Sequence, residues 1–190
     1  THFLITNSGG SDVYTNSSGT SIGTFCQNST VKLGGENHSW QKGTDDINSV
    51  HMFYRIYITG SPSGSFTDLN LTYVSSNNNN GSTDKFWQIS SSNNAGGFTT
   101  NMIAGLSSGS YTIEYYYRLD GNWGGSLYDN NSGNPTNYTN TFSIIAPPSA
   151  PTISISGNLT ICSNSSTTLS VPETCPGTIT WTKPDATTVD

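Results

Sequence analysis

The chain has 190 residues, of which only 9% are charged, and its formal net charge is −6. Its six Lys and Arg residues are scattered singly, so we expect no basic patch for phosphates and no nucleic-acid partner. No apolar run approaches the ~18–20 residues that a membrane helix needs, and we expect a protein that is not membrane-embedded. Aromatic residues make up 11% of the chain, which favours a folded protein over a disordered one.

Short segments with period-two patterning run along the chain, separated by Gly, Asn and Ser clusters. This pattern predicts β-strands and no helices. Residues 51–58 are apolar on both sides and predict a central strand, whereas residues 111–119 alternate and predict one buried and one wet side. The other predicted strands are residues 2–6, 12–15, 30–34, 68–74, 84–90, 97–103 and 138–145.

A turn containing Gly109 separates Leu106 from Tyr111, which begins the penultimate predicted strand. This arrangement predicts a tyrosine corner, in which the tyrosine hydroxyl bonds back to the preceding loop of a β-sandwich. The alternative is an ordinary core tyrosine. We favour the corner, because such corners occur at this position in immunoglobulin-like and fibronectin-like sandwiches.

One sequence pattern occurs twice, as TFCQNSTVKLGG at residues 24–35 and as TICSNSSTTLSV at residues 160–171. A repeat at domain spacing indicates two copies of one module. We therefore predict an all-β chain of tandem antiparallel β-sandwiches, immunoglobulin-like or fibronectin-like, of which the second is incomplete. Residues 1–146 form the first module, residues 147–151 a proline-rich linker, and residues 152–190 the first strands of the next. On this interpretation the chain is the front part of a longer protein.

The three cysteines form no metal-ligand cluster. Cys162 and Cys175 lie at predicted neighbouring strand ends, and we expect them to form a disulfide with each other. The alternative is that one of them pairs with a cysteine beyond Asp190, and the state of Cys26 stays open. Scarce Lys, abundant Ser, Thr and Asn, and these cysteines favour an extracellular protein. The start at Thr1 suits a mature form after signal-peptide removal, or a trimmed chain.

Residues 120–137 form a predicted long loop that carries aromatic residues among Gly, Asn and Ser. Loops at the end of a sandwich often present binding residues, and an aromatic face with polar partners suits a sugar. Trp40 and Trp87 could join this platform. The alternative is that these aromatic residues cover the ends of the core. The predicted ligand-binding residues are Trp123, Tyr128, Asn122 and Asp129.

Metal and catalytic chemistry have weaker signals. Asp120 and Asp129 flank the predicted loop and could help to hold a structural Ca²⁺, although aspartate also favours turns. The three histidines lack the spacing of zinc ligands, and we expect no other cofactor. Residues 19–23 read GTSIG and match the G-x-S-x-G nucleophile pattern, but no helical pattern follows, as that motif requires. We therefore expect no catalytic residues and no enzyme.

The segments LTICSNSSTTLSV and CPGTITWTKPDATT of the second module resemble the Ig-like repeats of secreted Bacteroidota surface proteins. The segments GTFCQNSTVKLGGEN, FYRIYITGSPSGSFTDLNL and GLSSGSYTIEYYYRLDG of the first module are similar to an N-terminal module of the same group. The resemblance implies export by a type IX secretion system and a place in a gliding adhesin, a cell-surface fibre protein or a secreted hydrolase.

These observations together predict a non-enzymatic extracellular module that acts in adhesion or as a structural fibre or stalk element. Its expected partners are a surface glycan or neighbouring protein subunits. One alternative is a carbohydrate-binding accessory module of a secreted hydrolase. The other is a subunit of an extracellular filament, joined to its neighbours by exposed sheet edges or strand exchange.

Overall fold

The computed structural model describes residues 2–79, 82–92, 98–130 and 137–147. The chain divides into two compact units, Thr1–Ile145 and Ala146–Asp190, and nearly all described residues belong to the first. The predicted strands of the second module and the predicted Cys162–Cys175 disulfide lie outside the described residues.

The described part of the chain contains twelve strands and no helix, which confirms the all-β prediction. In chain order the strands are β1 (His2–Asn7), β2 (Val13–Thr15), β3 (Ser21–Cys26), β4 (Lys32–Lys42), β5 (Ile47–Ile58), β6 (Thr67–Asn70), β7 (Thr72–Asn79), β8 (Ser82–Ile89), β9 (Thr100–Asn101), β10 (Gly109–Gly121), β11 (Ser126–Asp129) and β12 (Tyr138–Ile145).

These strands form two sheets of six. The first sheet has the order β2-β1-β4-β8-β7, with β9 also paired to β4, and the second has the order β3-β12-β10-β5-β6, with β11 also paired to β10. Within the described ranges every pairing is antiparallel except that of β3 with β12, which is parallel. The sheets are therefore antiparallel as expected, apart from this one parallel pairing at an edge.

The two sheets share one apolar core. Leu4 and Leu33 from the first sheet, and Val50 and Met52 from the second, are completely shielded from solvent. Buried apolar side chains recur at every second position of β10 and from Val50 to Met52 of β5, so these strands present an apolar side to the core. The alternating residues of β10 contribute as predicted, and all of them are buried: Tyr111, Ile113, Tyr115, Tyr117 and Leu119.

The opposite side of β10 is less wet than its sequence predicts. Glu114 is only 9% exposed, because the guanidinium of Arg55 on β5 donates to its carboxylate at 2.7 Å. Burial of a carboxylate requires a charged partner of this kind. A charged residue in a central strand is thus a poor marker of solvent exposure when the neighbouring strand supplies the counter-charge.

The predicted tyrosine corner is present. The hydroxyl of Tyr111 donates a hydrogen bond to the backbone carbonyl of Ser107 at 3.0 Å. The Tyr111 ring stacks on Phe142 of β12, with ring centroids 5.5 Å apart. The corner therefore fixes the loop before β10 to the start of that strand.

Two of the predicted strands differ from those in the structure. The predicted single strand 68–74 is in fact β6 and β7, which belong to different sheets. Leu71 lies between them, is 2% exposed and bonds through its N–H to the Val50 carbonyl, so the chain crosses from one sheet to the other without a turn residue. The predicted strand 97–103 is reduced to β9, the pair Thr100–Asn101.

Candidate ligand-binding cleft

A cleft of about 410 Å³ opens where β4 ends, β5 begins and β10 turns into β11. Its volume falls in the range of ~300–1,000 Å³ that is usual for small-ligand sites. Its lining combines aromatic, aliphatic and polar side chains: Ser39, Trp40, Gln41, Asp45, Ile47, Leu119, Trp123 and Leu127.

Two tryptophans form the aromatic part of this cleft. Trp40 lies near the end of β4 and is 72% exposed. Trp123 lies in the turn between β10 and β11, is half-buried and packs against the core. Its indole Nε1 is shielded from solvent and has no hydrogen-bond partner among the described residues. The structure thus brings Trp40 and Trp123 into one site, with an indole N–H that lacks an acceptor.

The polar residues of the lining differ in the hydrogen bonds that they make within the protein. Gln41 is held at both ends of its amide, donating to Asp46 at 3.0 Å and accepting from the Ile47 N–H at 2.8 Å. Ser39 donates its hydroxyl proton to the side-chain oxygen of Asn37. Asp45 is exposed, and among the described residues of the lining it is the one that is ionisable.

Asn122 joins the two loops that form the walls of the cleft. Its side-chain oxygen accepts from the Asp46 N–H at 2.9 Å, and its side-chain nitrogen donates to the Thr44 carbonyl at 2.8 Å. Its own backbone N–H donates to the Asp46 carbonyl at 3.0 Å. The prediction that Asn122 contacts a ligand is therefore better replaced by a positioning role, because its amide is already engaged.

Lys85 also holds the wall of the cleft in place. Lys85 on β8 donates to the Asp46 carboxylate and, at 2.9 Å, to the Ile47 carbonyl. The hydrogen bonds from Lys85 and then Gln41 lower the pKa of Asp46. The wall that carries Asp45 is thus tied to β8 through Lys85 and to the β10–β11 turn through Asn122, which holds the cleft in one shape.

Gly121 allows the two walls to approach each other. A Cβ atom at this position would lie 2.1 Å from the Trp123 ring and 2.5 Å from the Asp46 carbonyl oxygen. The backbone of Gly121 is not in the left-handed region, so the requirement for glycine is steric. Glycine is therefore needed for the close packing of Trp123 over the end of β10.

Tyr128 does not join the cleft. It pairs with Arg118 across the hairpin, and its ring centroid lies 6.1 Å from that of Tyr116. Its neighbour Leu127 lines the cleft, and successive side chains of a strand point to opposite sides. The segment predicted as a long loop is partly the strand β11, and this alternation separates Tyr128 from Trp123.

Trp87 is also remote from the cleft lining. It is 6% exposed and forms part of the core, with its ring edge-on to Tyr73 at 5.3 Å. For this residue the alternative interpretation, an aromatic side chain that supports the core, describes the structure.

Asp129 is part of a separate polar cluster between the sheets. Its carboxylate accepts from the Tyr138 hydroxyl at 2.6 Å and lies 3.0 Å from His2 Nδ1. Burial tends to raise the pKa of Asp129, but the hydrogen bonds from His2 and Tyr138 outweigh it, so the pKa is lowered. Asp129 is paired with Tyr117 on β10 and shares its inward side.

Asp120 faces the other way. It lies three residues after Tyr117 on β10 and therefore on the opposite side of the sheet from Asp129. The Ser126 hydroxyl donates to it at 2.6 Å, and this bond, together with Arg118, lowers the pKa of Asp120. The two aspartates do not converge on one cation site. Within the described ranges no group of three or more His, Cys, Asp or Glu residues is placed to hold a metal ion.

The other residues singled out in the sequence lie at the following places in the fold. Ser21 of the GTSIG segment begins β3, and the described residues that follow it contain no helix, so the nucleophile context is missing. Cys26, at the end of the same strand, is disulfide-bonded. No helix in the described part of the chain is long and apolar enough to cross a membrane.

Six of the eight lining residues are not among the residues predicted from the sequence, and two of them, Asp45 and Leu127, are exposed. Asp45 lies in the polar turn between β4 and β5, and Leu127 is a 57% exposed leucine on a strand that was predicted to be loop. An exposed apolar residue beside Trp123 is the available signal for Leu127. Asp45 has no local signal, because its place depends on the meeting of β4 and β10 ends.

Comparison of the chain with protein-family models, curated proteins and solved structures finds no match. Function is therefore inferred from the chemistry of the cleft.

Proposed function

We propose that this chain is a non-enzymatic extracellular module that acts in adhesion by binding a carbohydrate in the cleft between Trp40 and Trp123. The observation that carries the proposal is the presence of two indoles in one cleft with fixed walls. The apolar faces of a sugar ring pack on aromatic rings, and its hydroxyls need polar partners. The exposed Asp45 carboxylate in the lining is an acceptor for such hydroxyls.

An extracellular location is supported by two independent features. Cys26 is disulfide-bonded, and disulfides persist in oxidising compartments. The surface is poor in charge and rich in hydroxyl and amide groups, and the sequence resembles secreted Bacteroidota surface proteins. A rigid β-sandwich followed by a proline-rich segment also suits a stalk or fibre element that presents a binding site.

The test compares Trp40→Ala with Tyr128→Ala in glycan-array binding, calorimetric titration of the best array ligand and thermal unfolding. Trp40 lines the cleft, so its loss should lower the affinity for the ligand by about tenfold or more. Because the side chain is 72% exposed, the same change should alter the melting temperature little. Tyr128 is 59% exposed and lies outside the cleft, so its variant should bind normally. Failure of the wild type to bind any glycan on a broad array would contradict the proposal.

The two alternative functions relate differently to this cleft. A carbohydrate-binding accessory module would use the same site, with a polysaccharide as its ligand. A filament subunit would use a sheet edge, and β7 is an eight-residue edge strand with exposed Tyr73 and Val74. However, the register of β7 against β8 shifts between Tyr73 and Ser75. Because such a bulge makes an edge a poor template for another strand, we favour the cleft.

A further inference from the structure

We infer that the cleft selects a sugar that bears a free amine, and that Asp45 is the residue that determines this specificity. The inference deepens the proposed function and rests on it. It concerns the charge of the ligand, which the aromatic lining alone leaves open.

The described residues around the cleft leave one negative charge without a positive partner. Asp45 is exposed and is the one ionisable residue among the described residues of the lining. The adjacent Asp46 is neutralised by Lys85, which is itself occupied by Asp46 and by the Ile47 carbonyl. The described lining contains no lysine or arginine, and the chain as a whole carries a formal charge of −6. The described residues of the cleft therefore offer a ligand one carboxylate and no cation.

The aromatic groups reinforce this preference. An ammonium group near an indole face is attracted by the negative face of the ring, and tryptophan is the most effective aromatic residue in this role. An ammonium also has three N–H donors, for which the Asp45 carboxylate is an acceptor. Trp40, Trp123 and Asp45 line the same cleft and together provide both interactions.

The same groups should reject an acidic sugar. A uronate carboxylate in the cleft would face Asp45, and no lysine or arginine among the described lining residues would offset the repulsion. Specificity of this kind comes from an unfavourable contact with the wrong ligand as much as from a favourable contact with the right one.

The experiment uses three trisaccharides of different charge: a glucosamine trimer, its N-acetylated counterpart and a galacturonic acid trimer. Calorimetric titration of the wild type at low salt should give an affinity for the amine trimer about tenfold higher than for the acetylated trimer. This advantage should shrink as salt is raised, and the uronate should not bind measurably. Asp45→Asn should remove most of this advantage.

Two variants control for non-specific attraction of a cation to an acidic protein. Asp68→Asn removes the same charge from β6, outside the cleft, and should keep the preference for the amine. Trp40→Ala should lose affinity for both trimers. Persistence of the amine preference in Asp45→Asn, or undiminished binding in Trp40→Ala, would overturn the assignment.

The outcomes also separate this inference from the proposed function. Equal binding of the amine and acetylated trimers by the wild type would overturn the amine specificity and leave the carbohydrate site standing. Absence of binding to all three trimers and to a broad glycan array would overturn both.

Discussion

Gly121→Ala is the substitution that most directly tests the construction of the cleft. The new methyl group would lie 2.1 Å from one carbon of the Trp123 ring and 2.5 Å from the Asp46 carbonyl oxygen. Carbon atoms in contact prefer ~3.5 Å, so the ring would have to move by about 1.4 Å. The Asp46 oxygen is fixed by the Asn122 N–H, so the strain cannot be relieved on that side without breaking the bond between the two walls.

The expected cost is that of overpacking in a well-packed region, about 1–3 kcal/mol. For a unit of this size, each kcal/mol lowers the melting temperature by roughly 2–4 °C, which gives a decrease of about 2–12 °C. Displacement of Trp123 also changes one of the two indoles in the cleft. We therefore expect Gly121→Ala to weaken ligand binding by about tenfold or more in addition to lowering stability.

Gly125→Ala is the matched control, because it lies in the same turn. A Cβ atom there would be 4.0 Å from the nearest neighbour, the Cδ1 atom of Trp123, which is an ordinary contact. Neither glycine has a left-handed backbone, so both variants test space alone. Differential scanning calorimetry and ligand titration of both variants give the answer. Wild-type stability and affinity for Gly121→Ala would refute the described packing of Trp123.

Three further predictions follow from residues away from the cleft. Tyr111→Phe removes the hydroxyl of the tyrosine corner and should lower the free energy of unfolding by about 0.5–1.5 kcal/mol, as measured by denaturant titration. Because the pKa of Asp129 is lowered in the folded protein, its ionised form stabilises the fold fully above about pH 4, and this contribution is lost as the pH falls through the folded-state pKa. Asp129→Asn should therefore make the free energy of unfolding less dependent on pH in the acidic range. An unchanged pH dependence of unfolding in that range would contradict this. Non-reducing peptide mapping should find Cys26 in a disulfide, and recovery of Cys26 as a free thiol beside a peptide that links Cys162 to Cys175 would contradict this.

The sequence predicted the fold best where burial is one-sided. The alternation from Tyr111 to Leu119 identified the buried side of β10, because period-two patterning reports directly on which residues meet the opposite sheet. It failed for β3 and β11, where half-buried and exposed residues alternate weakly. Such edge strands are ordered by pairing with β12 and β10, which no local pattern reveals.

The candidate site was predicted only in part, because its residues are also brought together by strand pairing that no local pattern reveals. Trp123 and Trp40 were recognisable as aromatic residues in polar surroundings, but their meeting depends on the ends of β4 and β10 being neighbours. Tyr128 was misplaced because one residue of strand alternation moves a side chain to the other side of the hairpin. Asn122 was predicted to bind a ligand, and in the structure its amide joins two loops.

The double role of Trp123 determines which residue can establish the function. Trp123 packs on the core and lines the cleft, so its truncation would lower stability and affinity together and could not separate scaffold from site. Trp40 lines the same cleft from an exposed position and contributes little to the core. Trp123 is therefore anchored and shapes the cleft, whereas Trp40 is exposed in it. On the proposed function, a ligand that stacks between them would depend on the rigidity of the first and the accessibility of the second, and the hydrogen bonds of Asn122 and Lys85 hold the walls of the cleft in place.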